Sequence, residues 1–161
     1  MRERLAARHK GSLAELLRAT REFTAEDVEV ALELIDEGIK GSDDYRFWVD
    51  AEGDRVRGYV CFGPTAMTRG TYDLYWICVD PLCKGQGVGR DLVREMEKEI
   101  APERARLIRV ETAGSAEYAA TRAFYDHIGF EVVARIKDFY WPGNDLVIYG
   151  RYLEGGYNRE S

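Results

Sequence analysis

Apolar residues recur along this chain with two periods, and the switching between them sets the order of elements. In "FTAEDVEVALELIDEGI", Val28, Leu32 and Ile35 fall at the intervals of one helix face, Thr24 can cap, and Asp27 follows as the acid of a capping box. Gly38 stops that helix. Upstream, residues 1–12 read as a charged tail or short helix, and "LAELLRAT" (13–20) reads as a first strand, although its composition fits helix nearly as well. Downstream, two β-rich runs, 45–50 and 55–62, flank the turn residues Glu52, Gly53 and Asp54 and predict a hairpin.

A strand over "TYDLYWICVD" then leads into a glycine loop and a helix over 91–100, with Leu92, Val93, Met96 and Ile100 on its inner side and Pro102 beyond its end. "ARLIRVET" (105–112) predicts a strand, and "SAEYAATRAFYDHI" a helix closed by Gly129. "FEVVARI" and "DLVIYGRYL" predict two closing strands around the turn "WPGND". No repeat or linker interrupts the series. Helix, hairpin, then strand-helix-strand-helix-strand-strand is the order of one α/β (α+β) domain with a mixed sheet, expected over 13–155 with a tail at 156–161.

Composition narrows the chemistry. The 161 residues are 45% apolar, enough for one core, and no stretch approaches the roughly 20 apolar residues of a membrane helix. With the charged start "MRERLAARHK", this predicts a soluble, cytoplasmic protein. Lys and Arg number 23 against 29 Asp and Glu, a formal net charge of −6, which disfavours nucleic acid and suits cationic partners. The three cysteines form no C-x-x-C pair and suggest neither a disulfide framework nor a zinc site. Two histidines and no G-x-S-x-G leave Ser-His-Asp chemistry and metal hydrolysis poorly supplied.

The glycine loop carries the strongest signal. Gly85, Gly87 and Gly89 alternate at a helix start between Lys84 and Arg90. Glycine there lets a ligand approach backbone N–H groups, and those groups with the helix dipole attract anions, phosphate above all. A Walker A loop needs Gly-Lys-Ser/Thr, but Gly89 precedes Arg90 and Asp91. A dinucleotide loop needs G-x-G-x-x-G directly after its strand; here the third glycine comes one residue early and 80–84 intervene.

"VDPLCKGQGVGR" instead closely resembles the acyl-CoA loop of the GNAT superfamily of N-acetyltransferases, roughly Val-Asp-Pro, then Gln/Arg-x-x-Gly-x-Gly/Ala, then a helix. Lys84 replaces the family's Gln or Arg. "AATRAFYDHIGF" is similar to the family's later helix, so the matched elements span about 72–130. The resemblance implies a mixed sheet splayed between the strands at 71–79 and 105–112. It places the CoA pyrophosphate on the amides of Lys84, Gly85, Gln86, Gly87, Val88, Gly89 and Arg90, and the pantetheine amides on backbone around Ile77, Cys78 and Val79. Acetyl-CoA is then the acyl donor, and the oxyanion is met by the N–H of Cys78 or Val79.

Acyl transfer to an amine needs a neutral amine, an oxyanion donor and a proton for the departing thiolate. Tyr125 sits where the resembled family places its acidic tyrosine; Tyr118 and Arg122 share a polar face with it, and Tyr118 stands where many relatives carry a cofactor-contacting asparagine. A lysine ε-amine is only about 0.04% neutral at pH 7, an α-amine roughly 10 to 15%, so the need for a base depends on the acceptor. Asp73 and Glu111 are the candidates, with Glu111 slightly preferred on the expectation that it is desolvated near the cleft. Cys83 lies beside the helix start, but without a nearby histidine direct transfer is favoured over a covalent acyl-cysteine.

The resemblance implies an acceptor groove between the first helical segment, with Asp36, Glu37, Asp43 and Asp44, and the last-hairpin loop, where Phe139, Tyr140 and Trp141 stand beside Asn144 and Asp145. Its aromatic-acidic stretch is also similar to that of protein N-terminal acetyltransferases. The resulting expectation is an N-acetyltransferase acting on a primary, cationic amine of a small molecule or peptide terminus, as monomer or homodimer, without metal, membrane or nucleic acid. The alternatives are an idle acyl-CoA sensor and, further behind, a dinucleotide oxidoreductase.

Overall fold

Leu13, Leu16 and Leu17 are spaced for one helix face, and the computed structural model buries all three on α1 (Lys10–Ala19). A strand would send Leu16 and Leu17 to opposite faces, so the strand expected at 13–20 is replaced by helix. The structure describes residues 1–154, and the tail expected at 156–161 lies outside them. After α1 come α2 (Ala25–Ile39), β2 (Arg46–Glu52), β3 (Arg55–Pro64), β4 (Thr71–Val79) and α3 (Val88–Ile100). β5 (Leu107–Ala113), α4 (Ala119–His127), β6 (Glu131–Trp141) and β7 (Asn144–Tyr152) complete the series. Within residues 1–12, Arg2–Arg4 form β1, which pairs antiparallel with β2. No apolar alternation announces this three-residue strand in the sequence.

The strands form one mixed sheet in the order β1-β2-β3-β4-β5-β7-β6, with β4 and β5 parallel. That ladder runs from Thr71↔Leu107 to Asp73↔Arg109, although β4 continues to Val79 and β5 to Ala113, as in the splayed mixed sheet expected from the sequence. Two units divide the chain: Met1–Gly63 with Tyr75–Ile100, and Pro64–Leu74 with the described part of Ala101–Ser161.

In the first unit, Leu13, Leu16 and Leu17 join Ala31 and Ile35 of α2, Phe47 and Val49 of β2, Tyr59 and Cys61 of β3 and Cys78 of β4 in one core. α2 starts at the predicted box: Asp27 N–H donates to Thr24 Oγ1 (3.1 Å), and Thr24 N–H to Asp27 Oδ2 (2.8 Å). α3 buries Val88, Leu92, Val93, Met96 and Ile100, each such burial contributing about 1.5–3 kcal/mol. Gly58 keeps β3 close to β4 and α3, because a Cβ there would lie 2.9 Å from the Cys78 carbonyl oxygen and 3.0 Å from Val88. This fixes the height at which α3, and the loop before it, leaves the sheet.

In the second unit, β5 pairs antiparallel with β7 from Leu107↔Tyr152 to Ala113↔Leu146, and β7 with β6. The β6–β7 register jumps between Ile136↔Leu146 and Trp141↔Asn144, so residues 137–140 bulge. Asp138 supports the bulge at φ 52°: its N–H donates to Asp145 Oδ1 (3.0 Å), and its Oδ1 accepts from Gly143 N–H (2.8 Å). Pro142 and Gly143 make the turn at the predicted place.

Candidate active site

The glycine loop is built from turn chemistry. At the end of β4, Asp80 Oδ1 accepts from Leu82 N–H (2.9 Å) and so starts the short 3₁₀ turn Pro81–Cys83. Gly85 and Gly87 then take φ of 78° and 79°, a region costly for any residue with a Cβ, while Gly89 lies inside the first turn of α3. Gln86 N–H bonds Cys83 O (3.3 Å), and Asp91 N–H bonds Gly87 O (3.0 Å). Between these bonds, the amides of Gly85, Gly87, Val88, Gly89 and Arg90 make no hydrogen bond among the described residues. Lys84 and Arg90 are exposed at its rim. Such a row of N–H groups at the positive end of a 13-residue helix is an anion cradle.

The strand before it is oriented by the same bonds. Asp80 N–H donates to Arg57 O (2.7 Å), so the Asp80 backbone faces β3, and the Cys78 carbonyl lies against Gly58 of β3. By alternation, the peptide groups of Ile77 and Val79 face the other edge. The Cys78 thiol is buried, 3.1 Å from Thr20 Oγ1, and burial pushes its pKa up, which makes it a packing group. Cys83 is also buried. Asp43 and Asp44 are exposed on the turn before β2; Ser42 Oγ accepts from the amides of Asp44 (3.2 Å) and Tyr45 (3.3 Å).

The second unit holds the titratable candidates. Asp73 is buried and fully engaged: Oδ1 accepts from Arg109 Nε (2.7 Å) and Oδ2 from Thr65 Oγ1 (2.8 Å). Arg109 also reaches Glu111 Oε1 through Nη1 (3.2 Å). The Glu111 side chain is 47% exposed, so it is not enclosed in the way expected from the sequence. The sequence reading missed Arg109, although its place two residues before Glu111 puts both on one face of β5.

Ladder partners share a face. Ile148 therefore accompanies Glu111, Leu146 accompanies Ala113, and Trp141 accompanies Asn144, all on one side. Tyr140 stands near Glu111, since burial first and the Glu111 charge second raise its pKa. Asp145 points the other way and is held first by the Asp138 amide (3.0 Å) and then by Arg135 (3.0 Å), which keep its carboxyl below the usual range. Its carboxylate thus organises the hairpin, and Asn144 is the member of that pair that faces Glu111's side.

Tyr125 is 3% exposed and packs against Phe124, Phe130 and Tyr149. The polar face expected for it is therefore an aromatic cluster. Burial drives its phenol well above the ordinary value, so the proton is retained at neutral pH. Tyr118 is the half-buried N-cap residue of α4. Arg122 spends its guanidinium on the carbonyls of Ala113 (2.8 Å) and Ser115 (2.7 Å), tying α4 to the end of β5.

Comparison with known proteins bears on the loop. The family model described as an acetyltransferase (GNAT) domain matches residues 43–132. The chain belongs to the GNAT acetyltransferase family. A crystal structure of a GNAT-family chain from Desulfovibrio desulfuricans is 37% identical, covering 94% of this chain and 98% of that one, at a TM-score of 0.90. An aminoglycoside 6'-N-acetyltransferase complexed with coenzyme A matches at a TM-score of 0.72 and 17% identity, covering 94% and 93%. The ribosomal-protein-S18-alanine N-acetyltransferase from Escherichia coli matches at 0.77 and 15% identity, covering 100% and 98%. At those identities the last two show the GNAT fold alone. No curated protein matches the sequence. No helix among the described residues is long and apolar enough to cross a membrane.

Proposed function

We propose that this GNAT-family chain is an acetyl-CoA-dependent N-acetyltransferase that passes the acetyl group directly to a primary amine of a small molecule or a peptide terminus. The observation that carries the reading is the row of unbonded amides at Gly85, Gly87, Val88, Gly89 and Arg90 on a helix N-terminus. A pyrophosphate placed there gains backbone donors and the helix dipole, with Lys84 and Arg90 adding charge. The coenzyme A complex of an aminoglycoside acetyltransferase of the same fold supports the donor. That enzyme and the alanine N-acetyltransferase act on amines, which supports the acceptor class.

Acyl-CoA supplies an activated thioester. In the first unit, the outward peptide groups of Ile77 and Val79 hold the pantetheine amides, and the Val79 N–H, rather than that of Cys78, meets the oxyanion. In the second unit, Glu111 takes the proton of the attacking amine, directly or through a water. Asp73 is consumed by Arg109 and Thr65, so its part is to hold Arg109 against Glu111. The C–N bond forms first and leaves the negative charge on the carbonyl oxygen; as that intermediate collapses the C–S bond breaks, Tyr125 gives its proton to the departing thiolate, and the phenol recovers a proton from solvent. In the first unit the exposed carboxylates of Asp43 and Asp44 suit a cationic acceptor, and in the second unit so do the exposed aromatic faces of Tyr140 and Trp141.

A thiol-release screen with acetyl-CoA and a panel of polyamines, amino acids, aminoglycosides and peptides tests this. Release that depends on at least one amine is expected. Tight CoA binding without release by any amine, with acetyl or longer donors, overturns the enzyme in favour of an idle sensor.

A further inference from the structure

The ends of β5 and β7 carry two buried side-chain oxygens, Ser115 Oγ and Asn144 Oδ1, that have no hydrogen-bond partner among the described residues. Gly114 N–H donates to Asp145 O (2.8 Å), carrying the Ala113↔Leu146 register one step further and setting Ser115 opposite Asn144. Asn144 is 3% exposed, and its Oδ1 is buried without a hydrogen-bond partner. The Ser115 Oγ is likewise buried and unpartnered; although Ser115 is the N-cap of the 3₁₀ turn before α4, its side chain caps nothing. Two orphans of this kind are expensive, and proteins rarely keep them without a use. They sit on the face that also presents Glu111, Trp141 and the nearby Tyr140.

The chemistry of the two ends differs. Glu111 is a carboxylate with an aromatic neighbour, which suits an ammonium group. Ser115 and Asn144 are neutral and buried, so a second ammonium would lose its hydration there without a compensating charge. A neutral donor, a hydroxyl or an amide N–H, would satisfy them. We infer that Ser115 and Asn144 form a specificity subsite for the acceptor, selecting primary amines that carry a second, uncharged hydrogen-bond donor over simple alkylamines and over diamines. Both residues would accept from that donor while Glu111 faces the reacting nitrogen, an arrangement that rests on the acetyltransferase reading.

The test compares kcat/KM for three acceptors of matched length, an amino amide, an alkylamine and a diamine, in the wild type and in Ser115→Ala, Asn144→Leu and the double variant. The wild type should prefer the amino amide to each of the others by at least about tenfold, as expected where a missing donor leaves site groups unpaired. The double variant should lose that preference, its kcat/KM for the amino amide falling to the level of the alkylamine. Melting temperatures without acceptor should hold or rise in Asn144→Leu, because an unsatisfied group is removed. An unchanged preference in the double variant overturns the inference. So does a fall in melting temperature in both single variants, which would mark the oxygens as bonded through structural water. Release with no amine at all would instead remove the parent reading, and the two failures are thereby distinguished.

Discussion

The loop at 84–90 meets a ligand with backbone, whereas the face around Glu111 meets one with side chains, and the two differ in what fixes them. The loop's donors are peptide N–H groups, placed by two positive-φ glycines and the start of α3. Almost any side-chain change leaves them in place. The face depends on register: Arg109, Glu111 and Asn144 share one side because β5 and β7 pair from Leu107↔Tyr152 to Ala113↔Leu146, and a one-residue slip of β7 would turn Asn144 away from the side of Arg109 and Glu111. A backbone site can thus serve a donor common to a whole family, while a side-chain site can be altered for each acceptor.

Perturbing either region should separate the two roles. The largest effect is expected from Glu111→Gln, which should lower kcat roughly 100-fold with an amine that is charged at neutral pH. Its rate should climb more steeply with pH than that of the wild type, as the neutral amine fraction grows, while CoA affinity stays constant. Steady-state kinetics from pH 6 to 9.5 measures this, and parallel profiles would remove Glu111 as the base.

On the loop side, Gly87→Val forces a β-branched residue to a φ of 79° and crowds Arg90, whose guanidinium lies 2.8 Å from the added Cβ. Disturbing about two charge-assisted bonds should weaken CoA about 30-fold by calorimetry, with acceptor KM little changed. Equal loss on both sides would mean the regions are not separable.

Tyr125→Phe keeps the packed ring and removes the proton, so kcat should fall about tenfold with donor and acceptor KM unchanged. A pH signature accompanies it. Because burial raises the folded phenol's pKa, its contribution to stability is present below about pH 10 and lost as pH rises further. Denaturant midpoints of the variant should therefore fall less steeply above pH 10 than those of the wild type. Smallest of all, Lys84→Gln should cost about threefold in CoA affinity and flatten its salt dependence, since the exposed ammonium adds screened charge to donors that remain.

Much of this was legible in the residues, for reasons that differ by region. The glycine spacing in "CKGQGVGR" and the box of Thr24 and Asp27 act over a few residues, so local sequence determines them. The leucines at 13, 16 and 17 were ambiguous as composition and decisive as spacing. β1 was invisible because its stability comes from pairing with β2, not from its own pattern. The engagement of Asp73 was equally hidden because its partner Arg109 lies 36 residues on, and that of Asp145 because Arg135 reaches it only through the bulged pairing of β6 with β7. Ser115 escaped notice because an orphaned oxygen is a property of its surroundings.

The central claim is that acyl-CoA is held by loop amides. It is tested most directly by following the amide resonances of Gly85, Gly87, Val88, Gly89 and Arg90 as acetyl-CoA is added to the isotopically labelled chain. Large shifts at these positions, with the amides of Ile77 and Val79 moving at the same concentration, are the predicted result. Saturable acetyl-CoA binding that leaves all five loop amides unmoved would contradict the account.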